Sequence, residues 1–197
     1  MTKGFLSKAV GAALVLTASV AGAQPVSYMT QYSCGNGAFL DVAVCAFGGV
    51  TLTFTGQALT PVTAPTQIDY GTVLASALGG SAFTFAPGTF VQMALIQTSP
   101  VPGQAVTIGT MSGTIFSNTQ SLASITWTPN VLDIGPIHYT IENLSGGVTP
   151  INAPSTGAQT IRGTVVNTTT PEPATYGLMA TGLVGLFGIT RRRKATA

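Results

Sequence analysis

Val50-Thr51-Leu52-Thr53-Phe54-Thr55 alternates an apolar side chain with threonine without a slip. Successive side chains of a strand point to opposite faces, so this run puts Val50, Leu52 and Phe54 on one face and three hydroxyls on the other. Ile137-His138-Tyr139-Thr140-Ile141-Glu142 repeats the pattern. Further runs rich in β-branched residues predict strands at 38–46, 67–76, 82–86, 90–97, 105–116, 123–128 and 160–167. Turn signals separate them: Gly35-Asn36-Gly37, Gly48-Gly49, Gly79-Gly80, Pro87-Gly88, Pro102-Gly103 and Gly146-Gly147. Almost no helical periodicity competes. The expected fold is all-β, one antiparallel β-sandwich of about eight to ten strands.

The inward set follows from the alternation. Val50, Leu52, Phe54, Val91, Met93, Leu95, Ile108, Ile115, Ile125, Trp127, Ile137, Tyr139, Ile141, Ile161 and Val165 are the core candidates. Ser112-Gly113-Thr114-Ile115 and Arg162-Gly163-Thr164-Val165 echo one another. Glycine inside a strand marks a bulge or a close approach of backbone, and that is the expectation for both.

Only 6% of the 197 residues are charged, against roughly 25% in an ordinary soluble domain. Of the seven basic residues, only Arg162 lies between the two terminal segments described next. The acids there are Asp41, Asp69, Asp133 and Glu142. Such a body has no basic patch to neutralise phosphates, which argues against a nucleic-acid partner. Thr, Ser, Gly, Asn and Gln supply its polarity, while its Val, Ile, Leu and Phe suffice for a core.

Residues 1–23 have the form of a secretory signal peptide. Lys3 and Lys8 precede an apolar run at 9–20, and Ala21-Gly22-Ala23 supplies small residues for signal peptidase. Cleavage is expected between Ala23 and Gln24. The run is short for a membrane-spanning helix. Export places Cys34 and Cys45 in an oxidising compartment, where an even pair predicts one disulfide; two unpaired buried thiols are the alternative. Two sulfurs without a neighbouring histidine do not complete a metal site.

At the other end, Pro171-Glu172-Pro173 follows the polar run Asn167-Thr168-Thr169-Thr170. An uncharged run covers 174–190, and Arg191, Arg192, Arg193 and Lys194 follow it. Seventeen helical residues would span about 25 Å, enough for a bilayer core. The basic cluster would hold its end in the cytoplasm, leaving the body outside. Gly177, Thr181 and Gly185 recur at every fourth position, which suits close helix approach or simple tolerance of small residues. The prolines around Glu172 keep that segment extended, with its backbone open to a protease.

In this order of parts, including Pro171-Glu172-Pro173-Ala174-Thr175, the tail resembles the PEP-CTERM sorting signal. The resemblance implies processing by exosortase, a membrane-embedded cysteine protease. It also implies a Gram-negative bacterium that makes exopolysaccharide. It covers the tail and leaves the body's role open. The expected organisation is a signal peptide at 1–23, a β-sandwich body at 24–167 and a sorting segment at 168–197.

The body carries little that suggests catalysis. Its lone histidine, His138, lies opposite Ile137, Tyr139 and Ile141, on the solvent face beside Glu142. No Gly-x-Ser-x-Gly elbow is present. The four acids are isolated in sequence and give no sign of a glycosidase pair or a calcium cluster. Trp127 sits in a strand pattern beside Ile125, so packing in the core outweighs stacking on sugars. The sequons at Asn143 and Asn167 carry little weight.

No catalytic residue, metal or cofactor is expected. The expected life history is an inner-membrane intermediate followed by the cell surface or extracellular matrix. A non-catalytic structural role beside exopolysaccharide or in biofilm ranks first. A carbohydrate-binding or adhesive module ranks second, and a secreted hydrolase built on His138 or two of the acids ranks third.

Overall fold

The computed structural model describes residues 25–79, 81–142 and 146–168. The expected signal peptide with its cleavage point at Ala23 and Gln24, the Pro171-Glu172-Pro173 motif, the run at 174–190 and the basic cluster Arg191–Lys194 lie outside the described residues. Among those described, no helix is long and apolar enough to cross a membrane.

The strands are β1 (Pro25–Cys34), β2 (Val42–Phe47), β3 (Val50–Gly56), β4 (Thr60–Thr63), β5 (Thr66–Ala75), β6 (Phe83–Thr84) and β7 (Phe90–Ser99). They continue as β8 (Gly103–Ser112), β9 (Thr114–Ile115), β10 (Ala123–Thr128), β11 (Val131–Ile134), β12 (Ile137–Ile141), β13 (Val148–Ile151) and β14 (Gln159–Asn167). One 3-10 turn, Pro154–Thr156, interrupts them. Two six-stranded antiparallel sheets result. The first has the order β13-β10-β8-β7-β1-β4 and the second β11-β12-β14-β5-β3-β2. Strands β6 and β9 form a small separate pair. The described residues therefore form an all-β antiparallel sandwich.

Strand β3 behaves as its alternation predicts, with Val50, Leu52 and Phe54 buried between the sheets. Fourteen of the fifteen core candidates are buried; Ile108 is 43% exposed on the outer face. Its strand turns Thr107, Gly109 and Met111 inward. Trp127 pairs across from Gly109. A Cβ on Gly109 would lie 2.7 Å from the Trp127 ring and 2.5 Å from Ile125. The indole fills the space above Gly109, so the small residue must face inward, and period two then sends Val106 and Ile108 outward. Buried Thr107 is satisfied by donating its hydroxyl to the Pro129 carbonyl at 2.6 Å.

Four strands, β1, β4, β11 and β13, escaped the reading of alternation. In β4 and β13, Pro61 and Pro150 mask the pattern, and both strands lie at sheet edges, where a missing N–H costs least. Strand β1 pairs with both β7 and β4, but its inward face mixes Val26, Tyr28 and Tyr32 with Thr30. The predicted 105–116 strand breaks at Gly113, whose φ is +88° and whose added Cβ would sit 2.3 Å from the Leu122 carbonyl oxygen. At Gly163 a Cβ would run into the Thr140 carbonyl oxygen. Both glycines of the sequence echo thus mark close backbone approaches.

Candidate functional surfaces

The predicted disulfide is present. Cys34 ends β1 and Cys45 lies in β2, with Cα atoms 5.4 Å apart and a sequence separation of 11. The bond joins the first sheet to the edge of the second. Closing so short a loop stabilises by about 3 kcal/mol in the chain-entropy model. A Cys34→Ala/Cys45→Ala double variant is accordingly expected to lose about that much in denaturant unfolding. A loss below about 1 kcal/mol would show that packing alone holds β2 in place.

The tyrosines form a buried hydrogen-bonded set between the sheets. The Tyr28 hydroxyl donates to the Asp69 carbonyl at 2.9 Å, and Tyr32 to the Tyr70 carbonyl at 2.9 Å. Tyr70 donates to the Thr140 carbonyl at 3.1 Å, and Tyr139 to Gln97 Oε1 at 2.6 Å. Tyr28 and Tyr32 come from the first sheet, Tyr70 and Tyr139 from the second. Trp127 is buried as well and donates its indole N–H to Thr149 at 3.0 Å. The tyrosines and the tryptophan described are spent on the core; Phe116 is exposed by itself, and half-buried Phe47 and Phe83 pack their rings against buried Phe85.

Charge gathers on the second sheet, with Asp41 as the exception: it precedes β2 and accepts from Gln31 Nε2 of β1 at 3.0 Å. The six strands of the first sheet contain no Asp, Glu, Lys, Arg or His. Asp69, Asp133, His138 and Arg162 project from the outer face of the second sheet, and Glu142 follows β12. There His138 Nδ1 pairs with Asp133 Oδ1 across β12 and β11, both side chains being largely exposed. His138 faces solvent as the alternation predicts, and its partner is the cross-strand neighbour Asp133. Arg162 Nε lies 3.5 Å from Asp69 Oδ1, also exposed. An open cleft lined by Gln67, Glu142, Arg162 and Thr164 runs over this face. It does not include His138. Among the described residues no three His, Cys, Asp or Glu side chains converge as a metal set would.

The outer face of the first sheet offers a different chemistry. Thr110 and Thr126 face one another across β8 and β10, and Ser112 faces Ser124. Gln92 pairs with Ile108, Ala94 with Val106 and Met29 with Ile96. Ala94 is itself covered, so hydroxyls and amides flank a strip formed by Met29, Ile96, Val106 and Ile108, with no charge on any strand.

A family model described as the PEP-CTERM protein-sorting motif matches residues 169–194. No curated protein and no solved structure matches the chain. The match covers the residues on which the resemblance rested, Pro171-Glu172-Pro173 and the basic cluster Arg191-Arg192-Arg193-Lys194 included. The body between residues 25 and 168 brings an all-β sandwich with a disulfide, and the tail makes this chain an exported protein carrying the PEP-CTERM signal and processed by exosortase.

Proposed function

We propose that the mature body, residues 24–167, is a non-catalytic structural component of the cell surface or extracellular matrix that lies against neutral exopolysaccharide in a biofilm. Signal peptidase would release it after Ala23. The run at 174–190 would hold it briefly in the inner membrane of a Gram-negative cell, with Arg191–Lys194 inside, until exosortase acts near Pro171-Glu172-Pro173.

The observation that carries the reading is the outer face of the first sheet, whose strands carry no charge; the one carboxylate beside it among the described residues is Asp41, at the β1 margin, which accepts from Gln31 Nε2 at 3.0 Å. A neutral polysaccharide presents alternating C–H and O–H surface. Rows of Thr, Ser and Gln beside Met29, Ile96, Val106 and Ile108 match both kinds of group. Each hydrogen bond gained this way is worth about 1 kcal/mol net, so binding would be broad and additive rather than anchored at one pocket. A specific carbohydrate-binding module ranks second, because the described tyrosines and tryptophan are buried and Phe116 is the one exposed large aromatic among the described residues. A hydrolase ranks third, because the exposed Asp133–His138 pair lies away from the cleft that holds Glu142 and Arg162.

The test is retention of the mature protein on exopolysaccharide from the producing culture. A Thr110→Glu/Thr126→Glu variant places two like charges opposite one another on the proposed face, and should weaken retention about fivefold or more. Thr140→Glu, on the outer face of the second sheet, should leave it unchanged. Equal retention of all three proteins would sink the proposal.

A further inference from the structure

The sandwich has four sheet edges, and three are guarded. Strand β4 carries Pro61, and β13 carries Pro150. Strand β11 has only four residues and carries Asp133. Proline, charge and brevity are the usual means of keeping an edge from pairing with another chain. Strand β2 has none of them. It runs Val42-Ala43-Val44-Cys45-Ala46-Phe47 without charge or proline. Among the described residues it pairs on one side only, with β3. Val42 and Val44 are 51% and 62% exposed. Leu74, also exposed, lies in the same cross-strand row as Val44, through Thr53. Exposed Leu59 joins Val42 in lining the cleft at the start of the strand. The disulfide at Cys45 fixes the edge in place, so little ordering entropy would remain to be lost on pairing.

We propose that β2 is a pairing edge for a second copy of this chain, joined antiparallel about Val44 so that the second sheets of the two copies run on into one. This register sets Val44 against Val44 and Val42 against Ala46, small uncharged cross-strand pairs of the kind that stabilise sheets. It also sets Asp41 opposite Phe47, which keeps the two copies' carboxylates at opposite ends of the joint. A parallel joint would bring Asp41 beside Asp41. A two-fold contact of this kind consumes the unguarded edge of each copy and closes as a dimer. The guards on β4, β11 and β13 then stop growth at that point. The inference is independent of the polysaccharide reading, which uses the other sheet.

The test takes the mature secreted protein and measures its mass in solution by sedimentation at high micromolar concentration. The expected result is a dimer. Val44→Lys and Val44→Glu each set like charges against one another across the two-fold, and each should weaken association about tenfold or more. The position is exposed, so thermal unfolding should show both variants folded. Mixing the two variants sets Lys against Glu and should restore the dimer. Val106→Lys, on the other sheet, should leave dimerisation unchanged. A monomeric wild type, or a dimer indifferent to both Val44 variants, overturns the proposal. Failure of the mixture to restore association overturns the register about Val44. Either failure leaves retention on exopolysaccharide as it was.

Discussion

Gly71→Ala is expected to cost about 4 kcal/mol or more, enough to abolish secretion of folded protein from a domain of ordinary stability. Strands β5 and β14 pair with a slip: Asp69 stands opposite Arg162 and Gly71 opposite Ile161, which leaves Tyr70 as the extra residue of a bulge. Gly71 closes that bulge with a φ of +124°, a conformation strained for any residue with a Cβ. A Cβ there would also lie 2.1 Å from the Thr55 carbonyl oxygen. Both partners in that clash are backbone, so no rotamer change relieves it. Moving β3 away would break the Thr55–Thr72 and Gly56–Gly71 pairings.

The bulge matters because of what Tyr70 does there. Its carbonyl accepts hydrogen bonds from Thr30 Oγ1 at 2.5 Å and from the Tyr32 hydroxyl at 2.9 Å, both from the other sheet. Losing this geometry strands two buried donors. The measurement is the unfolding midpoint of the purified body in denaturant. Gly79→Ala serves as the control, with nothing within 4 Å of the added Cβ, and should change stability by no more than about 0.5 kcal/mol. A Gly71→Ala loss below about 1 kcal/mol would show that the bulge relaxes freely.

The second large effect is a steep alkaline transition. Burial pushes the Tyr28 hydroxyl up to about 12, helped by the charge of Asp69. Burial likewise holds Tyr32, Tyr70 and Tyr139 well above the ordinary tyrosine value, with neighbouring tyrosines adding to it at Tyr70 and Tyr139. An unfolded tyrosine loses its proton near pH 10, whereas these keep theirs in the fold. Above about pH 10 the unfolded chain therefore binds fewer protons than the folded one, and stability falls as pH rises. The contribution of Tyr28 drains away between about pH 10 and 12, and the other three continue beyond. Each protected tyrosine contributes a slope of at most about 1.4 kcal/mol per pH unit, so the four together reach at most about 5.5. Stability measured from neutral pH upward should be level to about pH 9 and then collapse, with tyrosinate absorbance rising in step with unfolding. Tyrosinate that appears while the fold is intact would show that these hydroxyls reach solvent.

Some of this was legible in the residues and some was not. Strand β3 was readable because each Thr–apolar step reports its own facing. Cys34 and Cys45 were readable as a pair once export was inferred, since no other cysteine competes. The tail was readable because its parts are consecutive in the chain. Strand β8 was not. Its most hydrophobic face, Val106 and Ile108, points outward, for a reason that lies on β10, where the Trp127 indole needs Gly109 beneath it. The tyrosine set was hidden for the same reason: Tyr28, Tyr32, Tyr70 and Tyr139 meet through bonds spanning 38 to 70 positions.

The sequence by itself determined the all-β class, the disulfide pair and the route of export. Alternation, cysteine parity and a consecutive sorting motif are local properties, complete within a short stretch of chain. Tertiary structure alone decided the inward face of β8, the bulge at Tyr70, the gathering of charge on one sheet and the unguarded edge at β2. Each of those depends on which strand lies beside or across from which, and that order follows from how the two sheets jointly exclude water from one core.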